Sequence, residues 1–544
     1  MKKIGMFLAG CMLLSSCESF LTEKPRTFLS PNVAYTTEDG LDKATVGLYD
    51  LLAYPFWGNS NFGAVAGIWY AGTDICEASS EGAYGIKVLS NLQYTSQTAE
   101  IKRMWDWYYK ILTNAQMIIQ HSEEMNWKDE NLGRRVKGEA YFFRGFAHLY
   151  LTQFFGDVPM IDRVYSEVKL DWERTPKETV MALVIDDLKR AEGYLPDEPW
   201  QGQQGRLTKG AAQHLLAYAY LCNEEWDMAE QAGKRVISSG NYNLMTSRFG
   251  KSADDPTKNV FWDLFQKGNH NRDSGNREGL LVIQNEDTAL HPEIVSGDSN
   301  PDFYAMFVRF FYPEYYGSSR VGSESDEICL KYGGRGKGYI LATRYWLEDL
   351  FSDPNDVRGK EPCVQRTFYK ESTGELLLDW DTASDQEKTD AGRFMRPYPR
   401  KWDWDGDSRV GGFNGRDATT RDFYLYRLAE TYLIVAEALF RQGKNSEIDG
   451  AAYYINKVRT RAGASAITAA DVTLDFILDE RARELYGEIP RRVDLMRTGT
   501  FVERVNAHNT GVNGSATEQF NLLPIPQEVI DLNIDRPMEN NPGW

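Results

Sequence analysis

Reactive side chains are sparse in this chain: only six cysteines and six histidines occur in 544 residues. No cysteines form a Cys-x-x-Cys pair and no histidines a His-x-x-x-His pair, so the short spacings that build zinc sites and redox couples are missing. His121, His148, His214, His270, His291 and His508 are scattered, and His148 and His214 fall inside apolar helical patterns that mark core positions. A Gly-x-Ser-x-Gly nucleophile elbow is absent. The run Gly333-Gly334-Arg335-Gly336-Lys337-Gly338 misses the phosphate-loop spacing, because Lys331 occupies the place of its first glycine. Asp403-x-Asp405-x-Asp407 begins like a calcium loop. Ser408 stands where the sharp turn needs glycine and Asn414 where a bidentate glutamate is needed, so a solvated acidic turn is expected. These gaps predict no cofactor, no metal and no catalysis. A glycosidase pair, hidden among 79 acidic residues, is neither named nor excluded.

Positive charge is also short. Against 79 acids stand 61 lysines and arginines, a net charge of −18 that leaves no basic stripe for nucleic acid. Long apolar runs are missing except at the N-terminus, where Lys2 and Lys3 precede Ile4 to Leu14. That run is too short to span a bilayer and gives way at once to the polar stretch Glu18 to Arg26. It ends in Leu14-Ser15-Ser16-Cys17, the layout of a bacterial lipoprotein signal, so residues 1–16 read as a signal peptide and Cys17 as the lipidated first residue. Each buried methylene of an acyl chain is worth roughly 0.8 kcal/mol, and more than one chain is needed for stable anchoring. Export predicts partners among membrane proteins, envelope polymers and nutrients. Cys76, Cys222, Cys329 and Cys363 are far apart and read as buried free thiols, with one long-range disulfide left open by an oxidising compartment.

Helical periodicity dominates both ends of the remaining chain. A capping sequence at Thr36 to Asp39 precedes Leu41, Ala44, Leu48 and Leu51 at helical spacing. Ile101, Met104, Trp105, Tyr108, Ile111, Ala115 and Ile118 mark a second helix, and Val136 to Phe154 a third that Gly156 stops. Thr208 to Gly240 reads as a helical hairpin with the small-aromatic-small placement of a tetratricopeptide repeat, and Leu425 to Phe440 with Ala451 to Ala462 as a second. A further helix is expected from Leu474 to Tyr486. Such repeats bury their apolar faces only by stacking, so the two ends should join one array. Between about Ser252 and Asp422 the helical period is lost, and short strands and turns are expected. The resulting division is a tether at 17–31, a helical part at 32–251, a loop-rich insert at 252–421 and a second helical part at 422–544, with 32–544 one compact unit.

Separated motifs then agree with one family. Ala44-x-x-Gly47-x-Tyr49 is followed by Trp105-x-x-Tyr108-x-x-Ile111-x-x-Asn114, and Glu139 to Phe146 runs on to Phe155-Gly156-Asp157-Val158-Pro159. Later come Leu428 to Ala438, Ile455-Asn456-x-Val458-Arg459-x-Arg461-Ala462-Gly463, Asp479-Glu480-Arg481-x-Arg483-Glu484-Leu485, Asp494-Leu495-x-Arg497 and Asn541-Pro542-Gly543. In this order the chain resembles the SusD/RagB family of outer-membrane nutrient-binding lipoproteins. It departs from the family at Gly487 to Val493, where Glu-Gly-x-Arg-Trp is usual, and at the terminal Trp544. The resemblance implies a mostly α fold and a surface-exposed lipoprotein over a SusC-type TonB-dependent transporter. It also implies capture of oligosaccharides, or in some branches peptides, without cleavage. An anchored glycoside hydrolase on the same scaffold is the catalytic alternative.

A sugar offers C–H faces and a rim of hydroxyls, so a capture site wants exposed aromatics beside hydrogen-bonding side chains. Trp69, Tyr70, Asp74, Tyr84 and Tyr94 lie in the Gly-rich segment Pro55 to Tyr94, and Tyr312, Tyr315 and Tyr316 cluster with Glu314. Trp380, Trp402 and Trp404 stand among aspartates further on. Loops on a rigid scaffold are where binding residues concentrate, and the first two clusters are the expected ligand contacts. A single ring more often packs beneath a loop, so the reading rests on clusters. The arginines 481, 483, 491, 492 and 497 read as a salt-bridged helix face beside Glu480, Glu484 and Asp494.

Overall fold

The computed structural model describes residues 35–57, 63–79, 85–199, 202–285, 308–314, 331–334, 336–370, 373–403 and 421–544. Helix α1 (Glu38–Trp57) begins where Thr37 Oγ1 accepts the Gly40 N–H at 3.0 Å, the cap expected from the sequence. It is followed by α2 (Gly63–Tyr70), β1 (Cys76–Ala78), α3 (Ile86–Ser90), α4 (Ala99–Glu124) and α5 (Glu130–Phe155). The Asp129 side chain caps α5 by accepting from the N–H groups of Asn131 and Leu132, and Gly156 ends it at φ 70°. Next come α6 (Lys177–Tyr194), α7 (Lys209–Cys222) and α8 (Trp226–Ser238). The Cα of Gly138 faces Leu195 and that of Gly145 faces Leu188, so α5 can approach α6 closely.

The middle of the chain is built from short pieces: α9 (Val260–Leu264), β2 (Gly279–Ile283), α10 (Val308–Phe311), β3 (Ile340–Ala342), one π-helical turn (Tyr345–Asp349), β4 (Val364–Gln365), β5 (Thr367–Tyr369), β6 (Leu376–Asp379), α11 (Asp385–Ala391) and β7 (Tyr398–Pro399). The C-terminal part holds β8 (Phe423–Arg427), α12 (Leu428–Arg441), α13 (Ala451–Arg461), α14 (Leu474–Leu485), α15 (Arg491–Arg497), α16 (Phe501–His508) and α17 (Gln527–Leu532). Leu425 was expected to start a helix and instead lies in β8, whose five residues are all buried and pair with β2. Helical periodicity cannot see such a strand running directly into a helix. Among the described residues the ladders are two-stranded and antiparallel: β1 with β3, β2 with β8, β4 with β7, β5 with β6. The first two stitch the middle segment to the N-terminal and C-terminal parts.

The two helical ends form one array. A Cβ on Gly233 of α8 would stand 2.4 Å from Val435 of α12, and His214 Nδ1 of α7 lies 2.8 Å from Thr431 Oγ1. Around α14 the core is charged. Arg358 donates to Glu480 at 2.8 Å and Glu484 at 3.0 Å, and Arg427 joins Glu278, Glu484 and Glu488 at 2.6, 3.0 and 2.5 Å. Arg461 bridges Glu278 and Glu484 as well. These side chains are at most 4% exposed, and the expected pairs of Arg481 and Arg497 with Asp494 and of Arg483 with Glu480 are present beside them and buried as well. Taking such charges from water is repaid only when every partner is present and well placed. Arg492 departs from the ion-pair pattern and donates to the Ile68 and Ala71 carbonyls. No helix among the described residues is long and apolar enough to cross a membrane.

Candidate functional site

The aromatic residues singled out from the sequence lie in the core wherever they are described. Trp69 is 1% exposed and stacks on Tyr150 with centroids 6.3 Å apart. Tyr70 meets Phe311 edge-on at 5.5 Å, and Tyr94 stacks on Trp544 at 5.3 Å. The Tyr312 hydroxyl donates to Asp403 Oδ1 at 2.9 Å, and its ring packs on Tyr398. Asp74 is fully buried and bound by Arg491 and Arg504; burial raises its pKa, and the two guanidinium groups outweigh that and hold it at about 2. None of these five presents a face to a ligand in this conformation. The Gly-rich segment that suggested a loop carries α2, a helix of eight residues too short for periodicity to reveal. Trp380 and Trp402 are buried too. Tyr84, Tyr315, Tyr316, Trp404 and the lipidation residue Cys17 lie outside the described residues.

Other side chains among the described residues do reach the surface. Residues flanking 80–84, 286–307, 315–330 and 404–420 are tied in pairs to other parts of the chain. The Ser79 N–H donates to the Tyr339 carbonyl at 3.1 Å, and the Asn285 N–H to Asp422 Oδ1 at 2.8 Å. The Glu314 N–H donates to the Arg393 carbonyl at 3.2 Å, and Arg400 to the Lys331 carbonyl at 3.2 Å. Around one of these pairs, Glu314 and Arg393, lies a platform. The half-buried Tyr339 ring stacks on Phe310 at 5.8 Å, and the Arg393 guanidinium lies 5.4 Å from the half-buried Phe394 ring. The Glu314 carboxylate is held by Lys337 at 2.8 Å and Arg393 at 2.5 Å. Flat rings beside a fixed carboxylate, ammonium and guanidinium supply the stacking faces and hydrogen-bond groups that a sugar ring needs.

The glycine run rejected as a phosphate loop explains how this platform is assembled. A Cβ on Gly336 would lie 2.0 Å from the Tyr312 carbonyl oxygen, and Gly338, at φ +56°, would meet the Arg393 carbonyl at 2.8 Å. Only glycine lets the strip 336–338 pass between Tyr312 and Arg393 and deliver Lys337 and Tyr339 to the surface. The sequence signal was present in those glycines. Their role is close packing of backbone.

Beside this strip, Tyr369 on the β5–β6 hairpin is 36% exposed and Leu376, its cross-strand partner, 51%. The Tyr332 hydroxyl accepts the Tyr369 N–H at 2.8 Å, and Lys331 Nζ lies 5.3 Å from the Tyr369 ring.

Catalytic and metal-binding groupings are not evident among the described residues. No cluster of three or more His, Cys, Asp or Glu could hold a metal there. Asp403 is engaged by Tyr312 and Arg400, while Asp405 and Asp407 lie outside the described residues. Burial pushes His148 and His270 down to about 3, and the Nε2 of His148 accepts the Ile161 N–H at 3.1 Å. The free thiols Cys76, Cys222 and Cys363 are buried, which raises their pKa and keeps them protonated.

Comparison with known proteins supplies the context. The profile of the SusD family matches residues 303–544, and a profile described as starch-binding and associating with the outer membrane matches 19–221. A SusD-like protein of Formosa agariphila is 25% identical, with 95% of this chain and 94% of the relative aligned. The starch-binding protein SusD of Bacteroides thetaiotaomicron is 25% identical over 75% of this chain and 73% of its own length. Among solved structures, surface glycan-binding protein A of Bacteroides thetaiotaomicron in complex with laminarihexaose superimposes with a TM-score of 0.69. It is 20% identical, and the match covers 93% of this chain and all of that one. With SusD profiles matching both ends and relatives aligned along nearly its whole length, the chain belongs to the SusD/RagB family.

Proposed function

We propose that this protein is a cell-surface lipoprotein, anchored in the outer membrane through Cys17, that captures oligosaccharides without cleaving them and hands them to a SusC-type TonB-dependent transporter. The observation that carries this reading is the half-buried rings Tyr339 and Phe394 beside the Glu314–Lys337–Arg393 ion cluster. A relative named for binding starch and a neighbour holding laminarihexaose support a glycan as the ligand class.

The test is retention of a panel of starch and β-glucan oligosaccharides and peptides by the purified chain, followed by sizing of the retained ligand. Retention of at least one glycan with its length unchanged is expected. Retention of peptides alone would move the protein to the peptide-binding branch, and shorter products would make it a hydrolase.

A further inference from the structure

Lys401 is 2% exposed, and its ammonium gives all three protons to acceptors from one short stretch of chain. It donates to the Glu484 carbonyl at 2.9 Å, the Tyr486 carbonyl at 3.1 Å and Glu488 Oε1 at 2.5 Å. The residues on either side of it build the underside of the platform. The Trp402 N–H donates to the Tyr312 hydroxyl at 2.9 Å, and the Trp402 ring packs on Phe311 with centroids 5.5 Å apart. Gly487, at φ +73°, makes room for that ring, since a Cβ there would run into it. Asp403 takes the Tyr312 hydroxyl proton at 2.9 Å and the Arg400 Nε–H at 2.7 Å. Tyr312 in turn accepts the Gly338 N–H on its carbonyl at 2.7 Å, and Phe310, two residues before it, carries the Tyr339 ring. A continuous run of buried contacts thus leads from the ammonium to the strip 336–338.

Charged and titratable groups reach Lys401 from each element around it. Glu484 faces it from α14 and Glu488 from the turn that follows, Arg427 from β8, and the Cys363 thiol from the start of β4. The α9 segment offers the rings of Phe261 and Phe265, at 5.5 and 4.9 Å from the ammonium, with Arg461 on Phe261 as well. Burial pushes the ammonium down, Glu488 pulls it up and Arg427 lowers it again, which leaves it at about 8. A neutral amine keeps two protons for three acceptors, and its lone pair must then face an oxygen. The grip on residue 401 weakens when that proton leaves.

We infer that Lys401 is a positioning residue of the glycan platform: its ammonium fixes Trp402 and, through Tyr312, the glycine strip that presents Lys337 and Tyr339. This rests on the platform as the glycan site. The test follows retention of the neutral starch and β-glucan oligosaccharides by the purified chain from about pH 6.5 to about pH 9, a window that brackets the Lys401 titration. Retention by the parent should fall about fivefold as pH passes the titration, within the range of such indirect couplings. Lys401→Met should be weak throughout and level. Lys337 and Tyr339 are present in both proteins, so the ratio of parent to variant isolates Lys401.

Melting temperature supplies the readout that separates positioning from support of the fold. In the unfolded chain the same lysine keeps its proton to about pH 10, so above the folded titration the unfolded state holds one proton more and this group favours folding as pH rises. The parent's melting temperature relative to that of Lys401→Met should therefore rise across the window in which its retention falls. Level retention by the parent, or an equal fall in Lys401→Met, would overturn the inference and leave the platform standing. A parent that retains none of the glycans at any pH would overturn both. Should Lys401→Met melt too early to compare, Lys401→Arg, whose charge does not titrate here, decides: level retention is expected, and a fall equal to the parent's would overturn the inference.

Discussion

Asp74 and Arg491 lie 417 positions apart in the chain and meet fork to fork, with N···O distances of 2.9 and 2.6 Å. Arg504 adds a third charged hydrogen bond to the same carboxylate at 2.9 Å. The turn before β1 is thereby fastened to α15 and α16. Asp74→Asn keeps the shape and removes the charge, leaving Arg491 buried without its counter-ion and Arg504 with Asp475 and Asp479 alone. The expected cost is about 3–5 kcal/mol, seen as a lower urea midpoint at unchanged slope. Asp39→Asn, which breaks an exposed pair with Lys43, should change stability by less than about 1 kcal/mol.

Acid should unfold the protein through these carboxylates. Burial raises the pKa of Glu480, but Arg358, Arg483 and Arg459 outweigh it and hold it at about 2, as Arg491 and Arg504 do for Asp74. Both folded values lie below the ordinary carboxylate range near 4, so the unfolded chain takes up protons first. The stability these ion pairs contribute is complete above about pH 4.5 and lost as pH falls toward 2. Melting temperature measured across that window should drop, and Asp74→Asn should flatten part of the drop.

Core and surface rings should separate cleanly. Trp69→Ala should cost about 3–5 kcal/mol, the usual range for emptying a buried aromatic site. Tyr339→Ala and Phe394→Ala should each weaken glycan retention about fivefold, the equivalent of about 1 kcal/mol per stacking ring, and leave the helical circular dichroism intact. A few such rings with their hydrogen bonds give dissociation constants of roughly micromolar to millimolar. Parent-like retention by both variants would remove the platform from the binding surface.

Anchoring is tested at Cys17. Cys17→Ala should block lipidation and move the protein from the membrane to the soluble fraction. Full partition of the variant with the outer membrane would contradict the lipid reading.

The helices were legible in the sequence because each long one carries a repeated apolar stripe; α4, α5, α7, α8 and α13 stand within a few residues of where that stripe put them. The free thiols of Cys76, Cys222 and Cys363 and the core positions of His148 and His214 were legible from spacing and pattern. The site was not. Trp69, Tyr70, Tyr94 and Tyr312 look in sequence like loop aromatics, and only three-dimensional packing tells a ring under a loop from a ring on top of one. Tyr339 and Phe394, which carry the proposed site, went unremarked for the complementary reason. Each is a lone aromatic in a charged neighbourhood, and what makes them a pair is the glycine strip that runs between Tyr312 and Arg393.

The β1–β3 ladder pairs Cys76 with Ala342 and Ala78 with Ile340, and its consequence concerns when the protein can fold. A strand that finds its partner more than two hundred residues later has to wait for that partner, and contacts of high sequence separation make folding slow. An N-terminal fragment ending before β3 should therefore stay protease-sensitive. The turn before the same strand waits longer still, since Asp74 is neutralised only when Arg491 and Arg504 arrive.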